Sequence, residues 1–344
     1  MDKMTTFLPA EWYEQSGVQL TWPHAGTDWK RMLTEVQECF LKIARYIAER
    51  ENLLIVAPHI EEPRKQLEAA GLDMDQIRFL ECSTNDTWAR DHGAISLIER
   101  DETYLLDFMF NGWGLKFPAD LDNLIARESC LSGLLHGKYI NRRGFILEGG
   151  SIESDGKGTL LTTEDCLLSP NRNAEMDKEE IEKYLISIFH LKRVLWLRHG
   201  YLEGDDTDGH IDTLARFCLN DTIAYVQCND KQDEHYEELY LMEQELKAFN
   251  TAEGGTYRLL PLPLPSPIYM EGLRLPATYA NFLVINDAVL YPTYHQPDND
   301  EKARCVLQEA FPHYDIYGID CRALIKQHGS LHCVTMQFPK GVLL

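Results

Sequence analysis

A mixed α/β fold in a single domain, 1–344, is predicted by three observations on this chain. Helical and strand-like apolar spacings alternate from one end to the other. The alternation takes the form of two strands, a helix and a strand, recurring several times with no letter-level repeat. The one linker-like stretch, Pro261-Leu262-Pro263-Leu264-Pro265-Ser266-Pro267, has the same pattern on both sides. It therefore reads as a stiff, extended surface connection within one domain.

The elements follow in order. Leu33, Val36, Phe40, Ile43 and Ile47 keep a three-four spacing after Asp28, which predicts an amphipathic helix over 28–50 capped by Asp28. Leu53 to Ala57 is an apolar run closed by Pro58, a buried strand. A helix from Pro63 to Ala70 ends at Gly71, and 77–80 is the next strand. Strands near 94–98 and 103–109 and a helix near 119–136 come next. A helix marked by Ile181, Tyr184, Leu185, Ile188 and Phe189 leads to a strand at 194–197. Strands near 213–219 and 222–228, a helix near 233–250 and strands near 256–260 and 281–291 follow. A helix at 298–311 and a strand at 314–318 precede the last strand, which begins around Cys333 and stops at Pro339.

Composition narrows the function. With 33 basic against 55 acidic residues the formal charge is -22, which argues against nucleic acid or an anionic membrane as partner and favours a small cationic one. Residues 1–7 lack the basic start and apolar run of a signal peptide, and no stretch reaches the roughly 20 apolar residues that span a bilayer. Nine scattered cysteines, with no C-x-x-C pair, fit a reducing compartment, so the cytoplasm is expected.

Four segments carry candidate chemistry. In Gly204-Asp205-Asp206-Thr207-Asp208-Gly209-His210-Ile211-Asp212, His210 and Asp212 would face the same way on an extended segment, and a histidine beside carboxylates can serve as a general acid. A calcium loop aligned on Gly209 fails, because its first and twelfth places hold Gly204 and Ala215. A metal site using His210 and Asp212 and a solvated acidic turn stay open. Asn85 to Gly93 is a polar loop in which Trp88 packs on the core or flanks a flat cation, and Asp91 can pair with Arg90 or a neighbour. Leu147-Glu148-Gly149-Gly150 ends an apolar strand with a glutamate and allows close backbone approach. Cys333 sits where a small-residue turn meets a strand, beside His332. The other cysteines, Cys218 and Cys305 among them, read as inert core. One thiolate, one histidine and two or three carboxylates suffice to hold a planar guanidinium, attack its central carbon and expel ammonia without a metal or cofactor.

Assembled, these segments resemble the agmatine deiminase family of guanidino-group-modifying pentein enzymes, relatives of the Porphyromonas-type peptidylarginine deiminases. The resemblance runs from Leu8-Pro9-Ala10-Glu11-Trp12 and Thr21-Trp22-Pro23-His24 through Trp88-Ala89-Arg90-Asp91, Leu147 to Gly150 and Thr207 to Asp212. It ends with Tyr279-Ala280-Asn281-Phe282, Asp298-Asn299-Asp300 and His332-Cys333. It implies a five-bladed pseudo-symmetric α/β propeller. It also implies Cys333 as nucleophile, His210 as general acid and base, Asp91 and Asp212 as guanidinium acceptors, and Glu148 in the same catalytic group. Trp88, Asp206 and Asn281 would bind substrate, Asp206 at the distal amine of agmatine. The implied reaction yields N-carbamoylputrescine and ammonia. Free or peptidyl arginine is the alternative substrate, a metal-dependent amidohydrolase the alternative mechanism, and a homodimer the expected assembly. The chain departs from the family pattern at His92-Gly93-Ala94, at Gln327-His328-Gly329-Ser330 before the nucleophile, and at Val334 to Phe338 after it.

Overall fold

Five sheets share one pattern. In four of them two antiparallel strands are followed by a helix and then by a strand parallel to the second. These are Ile95–Glu99, Glu102–Met109 and Lys138–Ile146 around helix Asp122–Leu131, and Ile152–Ser154, Thr159–Thr163 and Arg193–Leu197 around Lys178–Phe189. Ala215–Cys218, Thr222–Gln227 and Arg258–Pro263 surround Tyr236–Ala248, and Leu283–Ile285, Ala288–Thr293 and Asp315–Asp320 surround Pro297–Ala310. The fifth joins the two ends of the chain. Strand Thr335–Pro339 pairs antiparallel with Gln15–Thr21, and helix Leu33–Ala48 leads to the parallel strand Asn52–Ala57. The recurring order of two strands, a helix and a strand expected from the sequence is thus present in every one of these five sheets. The computed structural model describes residues 6–100 and 102–344; residues 1–5, on which part of the leader expectation falls, lie outside it.

Local chemistry explains each unit. Helix Leu33–Ala48 buries Val36, Phe40, Ile43 and Ile47 on one stripe against a strand whose Leu53, Leu54, Ile55 and Val56 are all fully buried. The expected helix over 28–50 is divided: Asp28–Met32 is a 3-10 turn, and Asp28 begins that turn without capping the α-helix. Pro261 and Pro263, expected in a linker, belong to Arg258–Pro263. That strand lies at the edge of its sheet, where the missing N–H groups cost no ladder bond. Strands Gln15–Thr21, Ile152–Ser154 and Thr159–Thr163 are not predicted, and of Lys138–Ile146 only the apolar end before Leu147 is; that strand, KYINRRGFI, is a largely exposed edge strand with no clean alternation. All nine cysteines are free, but Cys305 is exposed on its helix and Cys82 and Cys130 are half-buried, so those three are not core. Among the described residues no helix is long and apolar enough to cross a membrane.

Candidate active site

Each sheet delivers a side chain from the segment that runs into its first strand. Asp91 comes from the single turn Ala89–His92, and Glu148 from the residue before the 3-10 turn Gly149–Ser151. His210 and Asp212 flank the start of the turn Ile211–Thr213, Asn281 precedes Leu283, and Cys333 precedes Thr335. The segment around His210 is a turn and not the extended run expected, because the strand begins only at Ala215. His210 and Asp212 reach the same centre all the same. A Cβ added at Gly150 would lie 2.6 Å from His210 Nδ1, 2.9 Å from Asp91 Oδ1 and 3.1 Å from Asp212 Oδ2. Only a glycine leaves that centre open. Gly150→Ala is expected to cut turnover on the order of a hundredfold at saturating substrate, by displacing the imidazole. Steady-state ammonia release checks this.

His210 lies 3.7 Å from Asp91 Oδ1 through Nδ1 and 3.6 Å from Glu148 Oε2 through Nε2. Burial alone would lower its pKa, but Asp91 and Glu148 raise it well above the usual histidine value. The neighbouring Cys166 thiol adds little charge, since burial holds it protonated. At neutral pH His210 is therefore an imidazolium. Burial pushes Asp91 up to about 6, with Asp212 and Glu148 adding to the rise, while His210 and a hydrogen bond from Trp113 Nε1 (3.0 Å) oppose it. Glu148, fully buried, would also be raised by burial, but His210 and the Arg172 guanidinium bring it below the usual carboxylate range.

The thiol is held by an amide. Asn281 Oδ1 accepts from the backbone N–H groups of His332 (2.9 Å) and Cys333 (3.3 Å) and from Cys333 Sγ (3.3 Å). Asn281 is fully buried and does not line the cleft into which the thiol opens. Burial, and then Asp212 and Asp91, push the Cys333 thiol well above the usual cysteine value. Without a cation in the site the thiol keeps its proton. The thiolate ultraviolet absorbance, taken as wild type minus Cys333→Ser, is expected to be absent at neutral pH and to rise only in the alkaline range.

The thiol opens into a cleft of about 390 Å³. Its carboxylates are Asp28, Asp86, Asp91 and Asp206, its aromatic walls Trp88, Trp113 and Phe117, and no lysine or arginine is among the described residues lining it. Burial and Asp205 push Asp206 up to about 6, and burial and Asp28 do the same to Asp86. His328 lines the mouth, its Nδ1 2.7 Å from the Gly204 carbonyl. Gly329 must be glycine, because a Cβ there would meet the Trp88 ring at 2.1 Å. His92, the other departure, is buried behind the site, and burial holds it near 3 and neutral. A larger cavity of about 650 Å³ lies behind Arg90, Gly149 and His332, but Cys333 does not line it.

Several site residues went unread in the sequence. Trp113 sits in a left-handed turn, with φ of 66°, 55°, 84° and 68° at Gly112, Trp113, Gly114 and Leu115. A tryptophan between two glycines was the available signal, since glycine tolerates that region. Arg172 donates from Nε to Glu148 (2.9 and 3.1 Å) and from Nη1 to Asp208 (2.7 Å). Nothing local marked it. The metal reading fits poorly. Ligand atoms of Glu148, Cys166 and His210 gather within 4.8 Å, but Arg172 already occupies both Glu148 oxygens and would confront any cation there. Asp212, the expected partner of His210, instead accepts at Oδ2 from His332 Nδ1 at 2.7 Å.

A mixed α/β enzyme with a buried thiol, an imidazolium and three carboxylates around one centre is the class defined by fold and site. Residues 7–339 match the model of the Porphyromonas-type peptidyl-arginine deiminases, and the chain belongs to that family. A Porphyromonas gingivalis structure bearing the provisional name arginine deiminase is 50% identical, with a TM-score of 0.93 over 98% of this chain and 100% of that one. The Campylobacter jejuni agmatine deiminase, solved as a cysteine-to-serine variant with substrate bound, is 40% identical. Its TM-score is 0.90 over 98% of this chain and 97% of that one. Agmatine deiminase of Ectopseudomonas mendocina is 33% identical over 96% of this chain and 95% of its own.

Proposed function

We propose that this chain is a cytoplasmic agmatine deiminase, a single-domain five-bladed α/β propeller, which hydrolyses agmatine to N-carbamoylputrescine and ammonia. The observation that carries the reading is one cleft lined by the Cys333 thiol, by Asp91 and Asp206 among four carboxylates, and by Trp88 and Trp113. A molecule with a guanidinium at one end and an ammonium at the other matches that charge pattern. The likeness to the agmatine deiminases above supports it, and the five recurring sheets support the propeller.

In this reading the guanidinium settles between Asp91 and Asp212 and offsets the two carboxylates that, added to burial, hold the Cys333 thiol protonated. The thiol then loses its proton to solvent, and the thiolate attacks the central carbon. His210 gives its proton to the departing nitrogen, the C–N bond breaks and ammonia leaves. The S-linked thiouronium remains. Neutral His210 takes a proton from water as that water adds to the same carbon. The C–S bond breaks, the hydroxyl proton of the intermediate returns to the thiolate, and the ureido product departs. Glu148, backed by Arg172, holds the imidazole throughout. Because Asp91 titrates at about 6, its carboxylate is present above that pH and lost below it. A kcat/KM that falls as pH drops through about 6 is the expected profile.

A second reading, free or peptidyl arginine with the same chemistry, is favoured by the name of the 50% identical relative. It calls for a cation to meet a carboxylate or carbonyl. Lys116, near the mouth, is already bound to the Asp206 carbonyl (2.5 Å) and to Asp208 (2.6 Å). Ammonia release with agmatine, arginine and a short arginyl peptide, with mass-spectrometric detection of N-carbamoylputrescine, tests the choice. Turnover of agmatine alone is expected, and turnover of arginine or peptide without agmatine overturns it. We further propose a homodimer with no nucleic-acid or membrane partner.

A further inference from the structure

His332 takes part in no step above, yet its ring is buried and both of its nitrogens are engaged. Nδ1 is 2.7 Å from Asp212 Oδ2 and Nε2 is 2.7 Å from Glu11 Oε2. An ionised carboxylate oxygen only accepts, so each contact calls for an N–H on the ring. Arg216, fully buried, donates from Nη2 to the same Glu11 oxygen at 2.7 Å, which brings it 3.2 Å from His332 Nε2: two donors converge on one acceptor. The rest of Arg216 is anchored by Glu153 (2.8 Å) and the Phe282 carbonyl (2.6 Å), while Glu11 Oε1 takes the Val284 N–H at 2.7 Å. Arg90 lies 3.9 Å from Glu11. The groups facing the ring are thus Asp212, Glu11 and Arg216, with Arg90 and Glu153 behind them and Cys333 next in the chain.

Asp212 sees the other end of this arrangement. Its Oδ2 is taken by the ring, while Oδ1 is buried with no partner among the described residues. The backbone N–H groups of His332 and Cys333 both hang from Asn281 Oδ1, so the ring and the thiol share one support. We propose that His332 is a positioning residue for the substrate-binding carboxylate. It donates from both ring nitrogens, ties Asp212 Oδ2 to the Glu11–Arg216 anchor, and leaves Asp212 Oδ1 as the single oxygen offered to the guanidinium. This rests on the proposed role of Asp212 in holding that group. Freed from the ring, Asp212 rotates or turns both oxygens elsewhere, and the guanidinium loses a fixed acceptor over the thiol.

His332→Gln tests it, because one amide N–H group cannot span both carboxylates. The expected result is a rise in KM for agmatine on the order of tenfold to a hundredfold, the worth of a charge-assisted hydrogen bond, with a smaller change in kcat. Glu11→Gln is expected to raise KM in the wild-type background and to add little in the His332→Gln background, as two links of one chain should. Nitrogen-15 NMR of the full-length protein reads the ring without any substitution, so it serves even where the variant fails to fold; both ring nitrogens are expected to carry protons at the assay pH. A ring with one bare nitrogen overturns the inference. So does a folded His332→Gln with unchanged KM, whatever its melting temperature. Should the wild type turn over arginine in place of agmatine, only the substrate reading falls. The KM comparison is then made with arginine.

Discussion

Cys333→Ser is expected to bind agmatine as the wild type does and to turn it over at least about 10⁴-fold more slowly. The two side chains are nearly the same size, and the Asn281 carbonyl oxygen, which accepts from Sγ, can accept from a hydroxyl as well. Nothing in the cleft's carboxylates or aromatic walls changes, so calorimetric binding should hold within a few-fold. The difference lies in ionisation. Burial and the carboxylates of Asp212 and Asp91 already hold the thiol protonated, and only the incoming guanidinium relieves them. A hydroxyl starts from a far higher pKa, and the same relief leaves it protonated. Direct attack by water, aided by His210, is the remaining route. Single-turnover ammonia release checks this, and activity within about a hundredfold of wild type would rule out the thiol as nucleophile.

The parts of this site legible in the sequence are those whose chemistry is unusual for their setting. A histidine and an aspartate two apart beside an acidic glycine turn, a glutamate closing a strand before two glycines, and a cysteine at the mouth of a strand each break the local pattern. The structure brings His210, Asp212, Glu148, Asp91 and Cys333 to one centre because all precede a first strand of the same recurring unit. What escaped was of two kinds. Arg172, Glu11 and Arg216 act through ion pairs made across the sheets, and a lone arginine in a strand or turn carries no sign of its partner. Trp113 depends on a left-handed turn that apolar spacing does not report. The fold shows a related division. Periodic helices and the apolar run Asn52–Ala57 declare themselves. Most of the edge strand Lys138–Ile146, the proline-bearing end of Arg258–Pro263 and the buried but Gln-, Ser- and Thr-rich strands Gln15–Thr21 and Thr159–Thr163 do not. An extended segment would set His210 and Asp212 on one face; the turn Ile211–Thr213 instead curls both toward the space beside Gly150.

Arg172→Met carries the second large effect, on stability and activity together. The guanidinium and the Glu148 carboxylate are both fully buried at the side chain, and Nε reaches both carboxylate oxygens. Removing one partner leaves a buried charge without compensation, which typically costs about 3–5 kcal/mol, where replacing both partners is often close to neutral. In the single variant Glu148 should escape by taking up a proton, since Arg172 no longer helps hold it below the usual carboxylate range and burial acts in the opposite direction. A protonated Glu148 no longer supports the imidazolium of His210, so the general acid proposed for that residue weakens as the fold loosens. The double variant Arg172→Met with Glu148→Gln separates the two consequences. Urea denaturation should show most of the lost stability restored, because no lone charge remains, while ammonia release stays low because His210 still lacks its carboxylate. Stability and activity recovering together in the double variant would mean that Glu148 serves only to neutralise Arg172, and the imidazole would then be held by Asp91 alone.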